Sequence, residues 1–368
     1  MLVLSSSDQG SRYIEYFCGL EIIRLESFRN PLRVDQKFVL WSYDHIFDQL
    51  KRFQPDVLHT HDPLNLGVAA IRTAHQFNIH TLFTIHQLPW FITTYLPITT
   101  QVKTFLENRI WQYSQWFMQQ CQEVITPSQQ IAKIVQMHTG FNPLIIRNGV
   151  DLDLFSPKTE CPNETKDLCR KYDICPDHPV ILYVGRIDPD KKVDMVIRAA
   201  AKVFKEVNAQ LLVVGDGKQR DELIHLTKAL GIDQHCCFPG FISKHDDLPG
   251  IYRMARVFVT ASEIEIQSSV MLEAAASGLP VITVQASSMP EFVIDGNSGY
   301  LVPPGDVDQM AKWITFLIKD HRKSRKMGQS GRMIAETHSN ERFLEEHEQL
   351  YEEVLQVLKI YHQEGILA

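Results

Sequence analysis

Short apolar runs alternate with amphipathic segments along the first part of the chain. Each run has the length of a strand, and each intervening segment places apolar residues at helical spacing, as Ile46, Phe47 and Leu50 do. The predicted strands are 2–4, 20–25, 56–61, 81–86, 123–126 and 144–146. The predicted helices are 43–52, 66–77, 102–120 and one that opens at Pro127 and Ser128.

The alternation stops at 148–157 and restarts at 180, after a stretch that contains Pro162, Pro176 and Pro179. We therefore predict a linker near 155–165. The strands predicted beyond it are 180–184, 210–214, 237–238, 257–260 and 281–284. The helices are 194–207, 220–230, 248–254, 269–277, 307–319 and 340–358.

Buried strands that alternate with helices are typical of a doubly wound parallel sheet. The pattern occurs twice, which predicts an α/β protein of two Rossmann-like lobes facing a cleft. We expect the first lobe at 1–157 and the second at 165–340.

Composition and charge narrow the class of protein. The 368 residues include 37 Lys and Arg against 44 Asp and Glu, a formal net charge of −7, which argues against a nucleic-acid partner. The seven cysteines form no C-x-x-C pair, so we expect reduced thiols. The start of the chain lacks the basic residues of a signal peptide, and the uncharged stretch 73–102 is too polar for a membrane span. A cytoplasmic protein is expected.

Parallel α/β sheets bind ligands at the carboxyl ends of their strands. The loop after strand 180–184 carries Gly185, Arg186 and Lys191, and two cations on one short loop suit a pyrophosphate. A solvated charged turn is an equally good interpretation of this loop alone.

The loop after strand 210–214 contains Gly215 and Gly217. A dinucleotide fingerprint requires a third glycine where Arg220 stands, which disfavours an NAD-dependent dehydrogenase. A tight turn with positive φ would also explain both glycines.

Two carboxylates flank the start of helix 269–277. Glu265 and Glu273 could accept hydrogen bonds from vicinal hydroxyls, while the helix amides, with Ser268 or Ser269 at the N-cap, face a phosphate. The alternative is that both acids only favour the helix dipole.

Taken together, these loops resemble a known family. The Glu265–Glu273 spacing, with Leu-Glu-Ala-Ala-Ala-Ser-Gly-Leu-Pro following, resembles the E-x7-E signature of retaining glycosyltransferases of family 4, which use nucleotide sugars and have the GT-B fold. The segments 183–191, 213–217, 290–306 and 146–155 resemble other landmarks of that family. The resemblance runs from about Asp56 to the C-terminus.

The resemblance implies a role for each matching residue. Arg186 and Lys191 would hold the donor pyrophosphate, Glu273 the ribose and Glu265 the transferred sugar, with His86 at the reacting centre. The implied donor-binding residues are Gly185, Gly215, Gly217, Phe241, Gln267, Ser268, Ser269, Val270 and Glu273. The family generally needs neither a metal nor a cofactor, and its C-terminal helix, here 341–368, packs back on the first lobe.

The acceptor is expected to be a lipid or a glycan. Gln267, two residues after Glu265, resembles the subgroup that glycosylates lipids such as diacylglycerol, and His61, Trp90 and Tyr95 are the expected acceptor-side residues. Lys103 and Arg109 would assist peripheral contact with the inner face of a membrane. Core packing is the alternative for the aromatic residues.

Two other functions compete with that of a glycosyltransferase. A nucleotide-sugar epimerase or a non-catalytic nucleotide-binding fragment would share this fold.

Members of the family begin with a strand, a Gly-rich turn and a helix before the strand that here follows Met1. We therefore expect a first lobe without its first strand and helix, from a coding start placed too far downstream or as a weakly active fragment.

Overall fold

The computed structural model describes residues 1–29, 37–39, 43–94, 96, 98–157 and 162–363. The chain forms two compact units. The first contains 1–126, 132–146 and the residues from 346 onward, and the second contains 127–131 and 147–345.

Within the described residues, the strands of the first unit form three sheets. In the first sheet β1 pairs with β3 in parallel, and β2 pairs with β3 in an antiparallel hairpin. An antiparallel pair, β4–β5, forms the second, and the third is parallel with the order β6-β7-β8-β9. These strands are β1 (Leu2–Ser6), β2 (Tyr13–Phe17), β3 (Leu20–Leu25), β4 (Ser27–Arg29), β5 (Lys37–Val39), β6 (Val57–Thr60), β7 (His80–Thr84), β8 (Glu123–Thr126) and β9 (Leu144–Ile145).

The antiparallel hairpin departs from the predicted all-parallel sheet of the first half. Its two-residue turn, Cys18 and Gly19, has positive φ at both positions (48° and 80°), which is the geometry that joins twisted strands tightly. A cysteine is an unusual residue for the first of these positions, and most of β2 lies outside the core. The pattern of the sequence therefore gave no sign of this strand.

Amphipathic helices cover the strands of the first unit. Ile46 and Leu50 pack in one apolar cluster with Ala70 and Ala74, so that burial of their apolar faces stabilises both helices. The helices that begin in the first part of the chain are α1 (Tyr43–Phe53), α2 (Asn65–Gln76), α3 (Pro89–Thr93), α4 (Thr100–Met118) and α5 (Gln129–Thr139). Every helix in the described part of the chain is too short or too polar to span a bilayer.

The second unit is built on a six-stranded parallel sheet with the order β12-β11-β10-β13-β14-β15. Alternate residues of β10 enter two different apolar cores, Ile181 and Tyr183 on one face and Leu182 and Val184 on the other. The sheet is therefore covered on both faces, as the uninterrupted apolar strands predict. The strands are β10 (Val180–Val184), β11 (Gln210–Val214), β12 (Cys236–Gly240), β13 (Val257–Val259), β14 (Val281–Val284) and β15 (Gly299–Val302).

The helices of the second unit include three that the sequence pattern did not predict: α6, α11 and α13. They are α6 (Pro162–Lys171), α7 (Val193–Val203), α8 (Arg220–Ala229), α9 (Leu248–Met254), α10 (Ser269–Ala276), α11 (Met289–Phe292), α12 (Val307–Lys319) and α13 (His321–Glu336). The last helix, α14 (Asn340–Gln363), contributes its residues from 346 onward to the first unit.

The boundary between the units differs from the predicted one. Residues 147–157 belong to the second unit, because Phe155 is buried in its core and Arg332 of α13 donates to the carbonyls of Leu152 and Phe155 over 3.1 and 2.8 Å. Of the predicted linker 155–165, residues 158–161 lie outside the described residues, and α6 begins at Pro162.

The polar helix α13 packs closely on the turn that follows α10. A Cβ atom on Gly328 would lie 1.8 Å from the carbonyl oxygen of Gly278, whereas one on Gly331 would meet nothing closer than 3.6 Å. Gly328 is therefore required by the close approach of two backbones, and Gly331 is not.

These two glycines give a matched pair of variants. Gly328→Ala should lower the free energy of unfolding by about 2 kcal/mol, because the helix must shift to admit the methyl group. Gly331→Ala should raise it by up to about 1 kcal/mol, because alanine favours the helix and fits the space. Denaturant unfolding of both variants measures the difference. Equal destabilisation by the two would contradict the described packing of α13.

Candidate active site

Two loops meet at the carboxyl ends of the neighbouring parallel strands β10 and β11. The Ile187 amide donates to the carbonyl of Asp216 over 2.8 Å. A Cβ atom on Gly215 would lie 1.9 Å from the Gly185 carbonyl oxygen, and one on Gly217 would lie 2.4 Å from that of Ile187. Close contact between the loops therefore requires both glycines, and of the two only Gly215 has a positive φ (138°).

Both candidate phosphate-binding cations are paired with carboxylates. The Arg186 guanidinium binds Asp188 and, over 2.8 Å, Asp190. The Lys191 ammonium binds Glu265 and lies 3.9 Å from Asp190. Within the second unit the structure thus joins three of the predicted catalytic residues, Arg186, Lys191 and Glu265, in one ion-pair network. Asp188 and Asp190 are members that the sequence analysis did not single out.

The start of α10 holds a second group of predicted residues. Ser268 stands at the N-cap position without a side-chain capping bond, and the helix begins at Ser269, so the first amides of the helix, including that of Val270, have no partner within it. The Gln267 side chain turns to the main chain of Asn148, accepting from its amide over 2.8 Å and donating to its carbonyl over 3.0 Å. Gln267 was predicted to bind the donor, and in the structure it anchors this segment.

The second glutamate of the pair lies in a different environment. Burial raises the pKa of Glu273 to about 7, and the hydrogen bond that the Tyr252 hydroxyl donates to its Oε2 over 2.8 Å partly offsets this rise. Tyr252, on α9, is fully buried. Tyr252 carries no signal of function in the sequence, because a tyrosine among apolar residues of a short helix is typical of core packing.

Phe241 directly follows β12, which pairs with β11. Its ring is 79% exposed. Phe241, which was predicted to bind the donor, therefore offers an exposed aromatic surface at the same edge of the sheet as the two loops.

A row of imidazoles lies in the first unit. The ring nitrogens His61 Nδ1 and His86 Nε2 are 2.8 Å apart, and the His59 ring stacks on that of His61 with centroids 4.4 Å apart. The His59 nitrogens lie 2.7 Å from the Tyr351 hydroxyl and 2.7 Å from the Thr84 hydroxyl. The two predicted histidines, His61 and His86, therefore share one hydrogen bond.

These imidazoles favour the neutral form. Burial, together with the neighbouring His61, His347 and His86, lowers the pKa of His59 to about 3. Desolvation also lowers the pKa of His86, although part of its ring is exposed. At neutral pH His86 can therefore accept one hydrogen bond and donate another without carrying charge.

Trp90 and Tyr95 are the remaining residues predicted for the acceptor side. Trp90 is half-buried and packs edge-on against Trp111, with ring centroids 6.0 Å apart, as the core-packing alternative predicts. Tyr95 lies outside the described residues. Among the described residues, no group of three or more His, Cys, Asp or Glu side chains could hold a metal ion.

Two family models match the chain. The model described as glycosyl transferases group 1 matches residues 165–333, and the model described as glycosyltransferase family 4 matches residues 1–154. The chain belongs to the family 4 glycosyltransferases.

Curated relatives include several differently named sugar transferases and synthases. The chain is 26% identical to sulfoquinovosyl transferase SQD2 of Arabidopsis thaliana over 86% of its own length and 60% of that protein. It is 32% identical to N-acetyl-alpha-D-glucosaminyl L-malate synthase of Bacillus anthracis over 51% and 49%, and 24% identical to alpha-monoglucosyldiacylglycerol synthase of Acholeplasma laidlawii over 68% and 64%. The matched region thus spans from about half to just under two thirds of the length of these relatives.

Solved structures agree on the fold. Sucrose-phosphate synthase from Thermosynechococcus elongatus matches with a TM-score of 0.76 and 23% identity, over 97% of this chain and 89% of that one. Anabaena Alr3699/HepE, solved in complex with UDP, matches with a TM-score of 0.69 and 19% identity, over 85% and 82%. The predicted GT-B fold is confirmed.

The raised pKa of Glu273 makes stability depend on pH. Between pH 4.5, the ordinary pKa, and about 7 the folded chain holds a proton at this site that the unfolded chain has released, so stability falls as pH rises through this window. Glu273→Gln should therefore stabilise the unliganded protein by up to about 3 kcal/mol at pH 8 and by little at pH 4. Denaturant unfolding across this range measures the gain. Glu263→Gln, at an exposed position, is the control. A gain in the free energy of unfolding of Glu273→Gln that does not depend on pH would contradict the raised pKa of Glu273.

Proposed function

We propose that this protein is a retaining glycosyltransferase that moves a hexose from a nucleoside-diphosphate sugar to a lipid hydroxyl. The observation that carries the proposal is the gathering of Arg186, Lys191 and Glu265 at the strand ends of the second unit. These groups suit the diphosphate and the sugar of one donor molecule. No cofactor takes part in the proposed reaction.

The donor assignment uses the chemistry of each group. Guanidinium and ammonium groups bind phosphate oxygens, and the first amides of α10, which have no partner within the helix, add partial positive charge. The Glu273 carboxylate is held by Tyr252 through one oxygen, which leaves the other to accept hydrogen bonds from ribose hydroxyls. The ring of Phe241 offers a surface on which a base could stack.

The proposed mechanism is transfer on one face of the sugar. The bond from the anomeric carbon to the diphosphate oxygen breaks, the acceptor oxygen bonds to that carbon, and the acceptor proton passes to the leaving diphosphate oxygen. Negative charge on the diphosphate grows during this step, so Arg186 and Lys191 interact most strongly with the transition state. The neutral imidazole of His86 is assigned to the reacting centre, where it orients the sugar or the acceptor by a hydrogen bond.

Removing either cation should affect turnover more than binding. In Arg186→Ala and Lys191→Ala we expect kcat to fall by about 10²–10³-fold, with a smaller change in donor affinity. A thermal-shift screen with UDP, GDP, ADP and TDP first identifies the donor base, and steady-state kinetics with the matching sugar donor then measures both constants. Lys205→Ala, an exposed cation of the same unit, is the matched control. Near-normal kcat in both variants would contradict the assignment of Arg186 and Lys191 to the donor diphosphate.

The lipid acceptor is supported by one face of α4 and by the names of two relatives, the sulfoquinovosyl transferase and the monoglucosyldiacylglycerol synthase. Phe105 is 57% exposed, Trp116 is 38% exposed, and the Arg109 guanidinium lies 5.4 Å from the centre of the Phe105 ring. Their spacing puts all three on one side of the helix. Aromatic and basic side chains on one exposed face suit the interface of an anionic bilayer.

Phe105→Ser should lower transfer to diacylglycerol in anionic vesicles severalfold and leave donor hydrolysis unchanged, because only the lipid contact is lost. Transfer by the unchanged protein should also fall as salt rises. Met333→Ser, which alters an exposed apolar residue of the second unit, is the control. Equal activity on a soluble sugar, with no lipid product, would contradict the lipid assignment. Interconversion of the donor sugar without an acceptor would favour the epimerase.

A further inference from the structure

The Lys191–Glu265 ion pair joins two groups that the proposed function assigns to different parts of the donor. Both side chains are largely buried, with 14% of Lys191 and 16% of Glu265 exposed. The residues are 74 apart in the sequence and come from loops after different strands, β10 and β13. Their contact is therefore a product of the fold of the second unit and not of local sequence.

The charges around this pair already compensate one another. Two cations, Arg186 and Lys191, face three carboxylates, Asp188, Asp190 and Glu265. A diphosphate that enters this network adds negative charge to a group of residues whose formal charge is already negative. Because Lys191 is paired with Glu265, the diphosphate must compete with this carboxylate for the ammonium.

The carboxylate can move while its main chain stays in place. The Glu265 carbonyl accepts hydrogen bonds from the hydroxyls of Ser287 and, over 3.0 Å, Ser288. Glu265 also lies outside any helix or strand, between β13 and α10. A change of side-chain rotamer is then enough to take its oxygens from the ammonium to another donor.

We propose that Glu265 exchanges between Lys191 and the hydroxyls of the donor sugar, and thereby distinguishes the intact donor from the spent nucleoside diphosphate. This inference rests on the proposed function. When the intact donor binds, sugar hydroxyls donate to Glu265 and free Lys191 for the diphosphate. After transfer the sugar has left with the acceptor, so the carboxylate returns to Lys191 and competes with the diphosphate for it. The pair thus weakens product binding.

The proposal predicts opposite effects of one substitution on two ligands. Glu265→Gln should bind UDP about tenfold more tightly than the unchanged protein, because the competing charge is gone. The same variant should bind UDP-glucose more weakly, because an amide is a poorer acceptor for sugar hydroxyls than a carboxylate. Isothermal titration of the full chain with each ligand measures both changes. Glu263→Gln, an exposed glutamate two residues earlier, is the matched control and should change neither affinity.

A variant that lacks the Lys191 ammonium distinguishes the proposed exchange from simple electrostatic repulsion between Glu265 and the phosphates. In Lys191→Met, Glu265 has no ammonium to recapture, so adding Glu265→Gln should leave the affinity for UDP within about twofold. Tightening that persists in this background would show that Glu265 merely repels phosphate, and would overturn the exchange. Unchanged UDP affinity in Glu265→Gln alone would also overturn it. Thermal melting of each variant checks that it is folded.

The outcomes also separate this inference from the proposed function. If UDP binds the unchanged protein and Glu265→Gln does not change the affinity for UDP, the donor site is supported and the exchange is contradicted. If UDP and the other diphosphates of the screen bind neither the unchanged protein nor the variant, both are overturned. Stronger inhibition of turnover by added UDP in Glu265→Gln would be further support for the exchange.

Discussion

The contact between two backbone loops at the ends of β10 and β11 is the constraint on which the candidate site depends. The loops touch because Gly215 and Gly217 lack side chains, and a single methyl group at either position would overlap a carbonyl oxygen of the other loop. This contact fixes where Arg186 and Lys191 leave the sheet. The parallel order of the strands then brings the loop after β13, with Glu265, to the same edge.

Charge compensation is the second feature that organises the second unit. Each partly buried cation of the site is paired with carboxylates, which avoids the cost of an unpaired charge in a desolvated position. Glu273 instead keeps a raised pKa of about 7, with Tyr252 as its hydrogen-bond donor. A carboxylate held at such a cost to stability is typical of a binding or catalytic site.

The sequence predicts the second unit well, because its strands are uninterrupted apolar runs and glycines mark the turns after them. The resemblance to a known family then identifies Arg186, Lys191, Glu265 and Glu273, but not Asp188 and Asp190, which pair with the two cations. The pattern does not reveal partners that only the fold brings together: Tyr252 with Glu273, Lys191 with Glu265, and the Gln267 amide with Asn148, 119 residues away. Local signals were equally weak for the exposed strand β2 and for α13, a polar helix in which Gly328 packs against a neighbouring backbone.

The most direct test of this account is a crystal structure of the full chain with the intact donor UDP-glucose bound. The account predicts diphosphate oxygens within hydrogen-bonding distance of Arg186 and Lys191, ribose hydroxyls on Glu273, and a Glu265 carboxylate separated from the Lys191 ammonium. A nucleotide bound elsewhere would contradict the site. A diphosphate bound at the strand ends while Lys191 and Glu265 remain paired would contradict the competition on which the exchange depends.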